Sequence, residues 1–397
     1  MFNLEATQTA IKEFGMDGWL LYDFRGINYL AARIAHIPED DLGSRRWFYF
    51  VPAEGQPQKV VHAIETGMLD HLPGEKTVYL KWQELEAALK KVMGDQQKIA
   101  MEYSENAGNP YVSRVDAGTV ELIRSMGKQV VSSGNLIQYF EARLTDEQWE
   151  LHLKADKLNQ AAFEMAWQTI ADHMRQGKTL REAQLQQIVM DYYHANNMTT
   201  YHAPIVGAGP NSGNPHYFPQ AGSDREIKEG DFILLDMWAK LDQPNAIYTD
   251  LTKVGYVGET VPEKHTEIFN IVASARDAGI ETARKAFASG EELFGWHIDA
   301  ATREVIDNAG YGKYFNHRTG HNIGQETHGN GAHMDNLETR EDRTVIPRTC
   351  FSIEPGIYLE EFGVRSEINV FISADSEVIV TGGLQTEVLP IMAHCKA

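Results

Sequence analysis

Asp236 ends the apolar run Phe232-Ile-Leu-Leu235, which reads as a buried strand, and a carboxylate there needs a partner because an isolated buried charge is costly. Three more acids repeat the pattern. Asp250 lies in Tyr248-Thr-Asp-Leu-Thr252, across the polar loop Asp242-Gln-Pro-Asn245, a spacing suited to two neighbouring strands. Glu354 is embedded in Phe351-Ser-Ile-Glu-Pro-Gly-Ile-Tyr358 and Glu367 in Val364-Arg-Ser-Glu-Ile-Asn-Val370. Any one of them alone is explained by a salt bridge or a strand-end hydrogen bond. Together they ask for more positive charge than the basic residues nearest in sequence, Lys240, Lys253, Arg348 and Arg365, supply. Divalent cations are the economical solution. Oxygen ligands with one imidazole suit Mn, Fe, Co or Zn, and two such ions balance four carboxylates.

Imidazoles stand in His317-Arg-Thr-Gly-His-Asn-Ile-Gly-Gln-Glu-Thr-His-Gly329. Gly320, Gly324 and Gly329 are read as letting the backbone turn tightly around His321 and His328. Those two histidines, placed between the carboxylate pairs, are assigned to function; His317 and His333 are assigned to structure.

The rest of the chain narrows the setting. With 36 basic and 56 acidic residues in 397, a net charge of −20 disfavours nucleic acid, which is held by neutralising its phosphates. A composition 43% hydrophobic and 23% charged is that of a soluble globular protein. No apolar stretch approaches the roughly 20 residues of a membrane helix. The start, Met1-Phe-Asn-Leu-Glu-Ala, shows no secretory signal, so a cytoplasmic location and no membrane partner are expected. Cys350 and Cys395 are read as free thiols. Between Asp17 and Ile137, short β-rich runs such as Trp19-Leu-Leu-Tyr22 and Lys98-Ile-Ala-Met-Glu-Tyr103 alternate with helical stretches, which favours an α/β domain over residues 1–144. Thr145 and Gln148 form a capping box opening a long helix with the apolar stripe Leu151, Ala155, Leu158, Ala162, Met165, and a second domain, 145–397, begins there. Within it, Gly177-Lys-Thr-Leu180 and Gly290-Glu-Glu-Leu293 each join two helix patterns, followed by strand-rich stretches over 205–257 and 314–380. That repetition reads as a diverged duplication whose facing halves would create a cleft.

The order Asp236, Asp250, His321, Glu354, Glu367 resembles the five-ligand set of the pita-bread metallopeptidases, the family of methionine aminopeptidase, aminopeptidase P, prolidase and creatinase. Leu-Leu-Asp, Thr-Asp-Leu-Thr, Gly-His-Asn-Ile-Gly, Ile-Glu-Pro-Gly-Ile-Tyr and Val-Arg-Ser-Glu stand in the family's sequential order. The resemblance covers about residues 150–390; the first 145 or so are similar to the amino-terminal domain of prolidase, aminopeptidase P and creatinase. It implies an α/β creatinase-like amino-terminal domain followed by an α+β pita-bread domain with an internal pseudo-twofold. It also implies two divalent ions, Mn first and Co, Zn or Fe as alternatives, with Asp250 and Glu367 bridging them, Asp236 on one ion, and His321 and Glu354 on the other. Water between two such cations is acidified enough to be a nucleophile at neutral pH. By the same resemblance His216, in Asn214-Pro-His-Tyr217, and His328 steady the substrate and the oxyanion, and Glu354 shuttles a proton to the departing amine. Arg365 organises the site or meets a substrate carboxylate. A homodimer is implied as well. Asn211 and Asn214 read as turn formers beside His216, and His202 as a solvated or core histidine.

Departures from the family pattern sit around the ligands. Trp238 stands where the family usually has Gly, the loop before Asp250 is longer, and Lys253, Gly329 and Ile368 replace common residues. They bear on which substrate enters, since outer residues orient ligands and shape the rim. The expected activity is hydrolysis of the bond before proline, as in an Xaa-Pro dipeptidase acting on small peptides. The alternatives are an Xaa-Pro aminopeptidase, a creatinase-like hydrolase of a non-peptide amide or amidine, and a binding protein without catalysis.

Overall fold

Alternation along Gly18–Asp23 (β1) sends Trp19 and Leu21 to one face of a sheet and Leu20 and Tyr22 to the other, and all four are buried. A strand apolar on both faces needs a layer on each. Trp19 and Leu21 share a core with Ala10 and Ile11 of α1 (Leu4–Glu13) and Leu30 and Ala31 of α2 (Tyr29–Ile34). Leu20 and Tyr22 share another with Leu85 and Leu89 of α3 (Trp82–Met93) and Val120 and Ile123 of α4 (Ala117–Ser125). The remaining strands are β2 (Trp47–Pro52), β3 (Gln58–His62), β4 (Glu75–Tyr79), β5 (Lys98–Met101) and β6 (Gln129–Ser132), and the mixed sheet runs β4-β3-β2-β1-β5-β6. Helix α5 (Gly134–Glu141) follows. The computed structural model describes residues 2–38 and 40–396, and the chain divides into two compact units, one ending at Glu141 and the other starting at Ala142.

The second unit opens with α6 (Asp146–Arg175), whose start is fixed as the capping box requires: Gln148 N–H donates to Thr145 Oγ1, and Thr145 N–H to Gln148 Oε1. Its partner is α7 (Glu182–Ala195). After the short strands β7 (Met198–Thr199) and β8 (Ile205–Ala208) comes the hairpin of β9 (Phe232–Leu241) and β10 (Thr249–Tyr256). The pattern then repeats with α8 (Glu263–Ser289), α9 (Gly295–Asn308) and a second strand group: β11 (Asn322–Ile323), β12 (Cys350–Ile353), β13 (Gly356–Tyr358), β14 (Gly363–Arg365), β15 (Ile368–Ile372) and β16 (Val378–Thr381). Helix lengths of 30 and 14 residues in the first half against 27 and 14 in the second bear out the duplication read from the sequence. Strand β17 (Leu389–Pro390) runs parallel to β10, and α10 (Ile391–His394) ends the fold.

The two faces of β9 explain its unbroken apolar run. Ile233, Leu235, Met237 and Ala239 pack with α6 and α7, while Phe232, Leu234 and Trp238 face the core they share with α8. Asp236 lies on that second face. No helix among the described residues is long and apolar enough to cross a membrane.

Candidate metal centre

Period-two alternation aims the acids. Asp236 and Trp238 share one face of β9; in the antiparallel register Asp236 lies opposite Thr252 and Asp250 opposite Trp238, so both aspartates project from one side of the hairpin. The second half meets them there. Glu367 N–H donates to the Thr252 carbonyl, and Asn369 reads the Asp250 peptide on both sides, accepting from its N–H at 3.1 Å and donating to its C=O at 2.6 Å. Thr252 Oγ1 then donates to Glu367 Oε2 at 2.7 Å and accepts from Arg365 Nε at 2.9 Å. The two halves are thus joined at the acids themselves.

Ligand-type atoms of Asp250, His321 and Glu367 all lie within 4.8 Å of one another, and all three residues are buried. Glu354 joins them through His321, its Oε1 3.3 Å from Nε2. Asp236 is held by Arg365, Nη2 to Oδ2 at 2.5 Å. His321 Nδ1 is the donor to the Asn322 carbonyl at 3.2 Å, which leaves Nε2 with a lone pair. That lone pair faces Glu354 Oε1 and, at 3.4 Å, Asp250 Oδ2. With the carboxyls ionised these atoms repel one another, and either a cation or a carboxyl proton must lie among them. Asp236 Oδ1 and Glu367 Oε1, both buried, also lack a hydrogen-bond partner. Oxygen-rich donors with one imidazole and two unsatisfied carboxylate oxygens fit divalent metal ions.

The electrostatics say the same. Burial pushes the Asp250 and Glu367 carboxyls far up, and neighbouring carboxylates push them further, Asp236 foremost for Asp250 and Asp250 foremost for Glu367. Glu354 rises to about 7, burial outweighing the attraction of Arg365. Asp236 is raised by burial against the pull of Arg365, the Thr252 hydroxyl and His216. His321 is held neutral by burial, with help from His328 and Arg318, and a neutral imidazole is the form that ligates.

The other singled-out residues fall around this cluster. The His328 ring is 4.3 Å from that of His321; it reaches solvent along one edge yet is hemmed in enough that burial lowers it to about 4. His216 is exposed on the loop after Gly209–Gly213, near enough to Asp236 to favour its charged form. Its backbone N–H is fixed by Asn214 Oδ1 at 3.1 Å, the turn-forming role expected of that asparagine. Asn211 instead donates to Glu182 at 3.0 Å. His202 is exposed, edge-on to Tyr201 at 4.9 Å. His333 is buried and accepts the Asn322 N–H at 3.1 Å through Nδ1.

His317 is structural, as expected, and its partners name the role: it donates through Nδ1 to the Arg318 carbonyl and accepts the Tyr358 hydroxyl through Nε2 at 2.7 Å, and Tyr358 in turn accepts Arg365 Nη1 at 3.0 Å. It therefore braces the arginine that holds Asp236. The reading of the glycines needs a correction: the chain does bend over 324–328, but none of Gly320, Gly324 and Gly329 has a positive φ, so the bend does not use the left-handed backbone that glycine allows. Gly320 is needed for close approach, since a Cβ there would lie 2.0 Å from the Ser352 carbonyl oxygen; that packing lets Ser352 Oγ accept the His321 N–H at 3.0 Å.

Sequence reasoning missed Glu182. Fully buried, its carboxylate accepts from Ala208 N–H at 2.7 Å, the Asn211 amide at 3.0 Å, the Tyr217 hydroxyl at 2.7 Å and Arg225 N–H at 2.7 Å, pinning both ends of the loop that carries His216. A glutamate in the first turn of a helix looks like ordinary dipole compensation, so only the fold reveals it.

An acid-lined site with one imidazole, built across a doubled α+β fold, defines a metal-dependent hydrolase. Residues 150–374 match metallopeptidase family M24, more than half of the chain, and the protein belongs to that family. It is 27% identical over 373 residues to an Xaa-Pro dipeptidase of Lactobacillus delbrueckii subsp. lactis, 92% of each chain being covered. Among solved structures it is similar to the dipeptidase PepE of Mycobacterium ulcerans, with TM-score 0.64, 19% identity and coverage of 97% of this chain and 96% of that one. A cytosolic X-prolyl aminopeptidase of Caenorhabditis elegans, described as having a di-nuclear active site, superposes with TM-score 0.60 at 16% identity over 95% of this chain and 60% of that one. These likenesses establish the fold set out above.

Proposed function

We propose that the protein is an Xaa-Pro dipeptidase that hydrolyses the peptide bond before proline with two divalent cations, manganese foremost. The observation that carries the reading is the His321 lone pair aimed at Asp250 and Glu354 with Glu367 alongside, a donor set that suits divalent cations. The full-length likeness to an Xaa-Pro dipeptidase supports the substrate, and the di-nuclear relative supports the number of ions.

Asp236, Asp250, His321, Glu354 and Glu367 would hold the ions, with Asp250 and Glu367 shared between them. When bound, the ions acidify a water and polarise the scissile carbonyl. His328 and His216 donate to the substrate and to the oxygen that gains charge. Glu354 carries a proton to the nitrogen of the departing proline. Arg365 keeps Asp236 oriented through Nη2 while its Nε fixes Thr252 and, through Thr252, Glu367. Residues 1–144 serve as a creatinase-type accessory domain and 145–397 as the catalytic domain.

A cytoplasmic homodimer completes the reading. Its support is the edge strand β4, where Val78 is 47% exposed and Leu80 and Trp82, just beyond it, are 60% and 62% exposed, an apolar rim of the kind that partners cover. Sedimentation tests it, a monomer at micromolar concentration refuting it. The activity is tested by metal analysis with hydrolysis of Ala-Pro and of longer Xaa-Pro peptides after adding Mn or Co. Cleavage of dipeptides alone is the expected result. Cleavage of longer peptides would make the protein an aminopeptidase, and metal without either activity would point to a non-peptide amide.

A further inference from the structure

A pocket of about 450 Å³ opens beside His328, walled by Tyr201, Tyr248, Lys240 and Thr327. It adjoins the metal centre: His328 is in ring contact with His321, and Tyr248 immediately precedes the strand bearing Asp250. Its walls are aromatic to an extent that folding does not require. Tyr201 is 56% exposed, yet its ring rests on Trp238 at 6.1 Å and meets Tyr248 edge-on at 6.2 Å. His202 and the 45% exposed Phe218 extend the cluster outward. Exposed rings gathered at the rim of a reactive centre mark a binding surface.

The cation in the pocket is already matched. Lys240 Nζ donates to the Gln325 carbonyl at 2.6 Å and lies 5.0 Å over the Tyr248 ring; burial lowers its pKa, and Glu326 and Asp242 oppose that in part. An anionic ligand would have to face Glu326 for the sake of an ammonium group that is already satisfied. A neutral ring meets Tyr201 edge-on or offset and covers surface that is otherwise wet.

We propose that this pocket receives the side chain of the residue preceding the scissile bond and prefers an aromatic one, so that Phe-Pro is cleaved ahead of Ala-Pro. The inference rests on the Xaa-Pro dipeptidase reading and names its substrate class. In such a dipeptide only the first residue varies in size, and the pocket has room that an alanine methyl leaves empty.

The test compares kcat/KM for Phe-Pro, Glu-Pro and Ala-Pro on the full, Mn-loaded chain and on Tyr201→Ala and Tyr201→Phe. The unaltered protein should favour Phe-Pro over Ala-Pro by about tenfold, Tyr201→Phe should keep that ratio, and Tyr201→Ala should bring it near unity. A ratio near unity in the unaltered protein, one insensitive to Tyr201→Ala, or Glu-Pro cleaved fastest would each overturn the pocket assignment while leaving the dipeptidase reading intact. If no dipeptide is cut, the dipeptidase reading falls. The pocket is then read by calorimetry with L-phenylalaninamide and L-alaninamide: tighter phenylalaninamide binding that is lost in Tyr201→Ala supports it, and equal affinity overturns it.

Discussion

Glu354→Gln should stabilise the metal-free protein, and by an amount that depends on pH. The Glu354 carboxyl, ordinarily near 4.5, is raised to about 7 in the fold, chiefly by burial. A raised acid costs stability when it ionises: nothing is lost below its unfolded value, and the full penalty is present above its folded one. Glutamine keeps the shape, and its side-chain oxygen still accepts the Ser352 hydroxyl, which reaches Glu354 Oε1 at 3.2 Å. The variant is therefore more stable than the parent by about 1 kcal/mol at pH 5 and about 3 kcal/mol at pH 8, taking about 1.4 kcal/mol per pH unit of displacement. Histidines held neutral by burial, such as His317 and His328, are lowered from 6.5 to about 3 and about 4 and add their own pH dependence below about pH 6.5, but they are common to both proteins and cancel in the difference. Urea unfolding in excess EDTA, followed by tryptophan fluorescence across that pH range, measures it. In a thermal scan at pH 8, about 3 kcal/mol corresponds to a rise of about 6 °C for a unit of this size. With Mn added the order should reverse, because only the carboxylate ligates. A difference that is zero at pH 8, or the same at both pH values, would refute the account of a cation-dependent acid cluster.

Asp250→Ala removes the carboxylate shared between the proposed ions and should abolish activity and lower bound metal measured by emission spectroscopy; full activity would defeat the ligand assignment. Glu182→Ala strands four donors, one buried and three part-buried, and should cost about 3 kcal/mol in urea unfolding, with a loss of activity larger than its loss of metal because it frees the His216 loop. Gly320→Ala forces a Cβ to within 2.0 Å of the Ser352 oxygen and should cost about 3 kcal/mol while displacing His321, read as weaker metal retention on dialysis. Cys350 and Cys395 are buried with thiols raised by burial, so a thiol reagent should find two equivalents in denaturant and almost none in the native protein.

Much of the fold could be read from the chain because its signals are local. The capping box at Thr145, the alternation in Trp19-Leu-Leu-Tyr22 and the apolar run before Asp236 each state their own structure. Strand β6 was missed: Gln129–Ser132 is four residues with two apolar side chains, and pairing with β5 makes it a strand. The acids of the centre were legible because charge in an apolar strand is anomalous wherever it occurs. Glu182, Thr252, Tyr358 and Asn369 were not, because their side chains are ordinary in sequence and gain meaning only from partners far along the chain. Thr252 meets Glu367 115 residues away, and Asn369 meets Asp250 at 119. The mistaken reading of the 317–329 glycines has the same origin, since the contact that requires Gly320 is supplied by Ser352 from another strand.

The acids projecting from β9 and β10 face His321, Glu354 and Glu367 from the second half, so neither half owns all five of the proposed ligands. A ribosome must have released the chain beyond Glu367 before all five can meet. Ion capture is therefore a certificate of finished assembly, and in a metal-starved cell the completed polypeptide would persist as a self-repelling form, the one most open to proteolytic clearance.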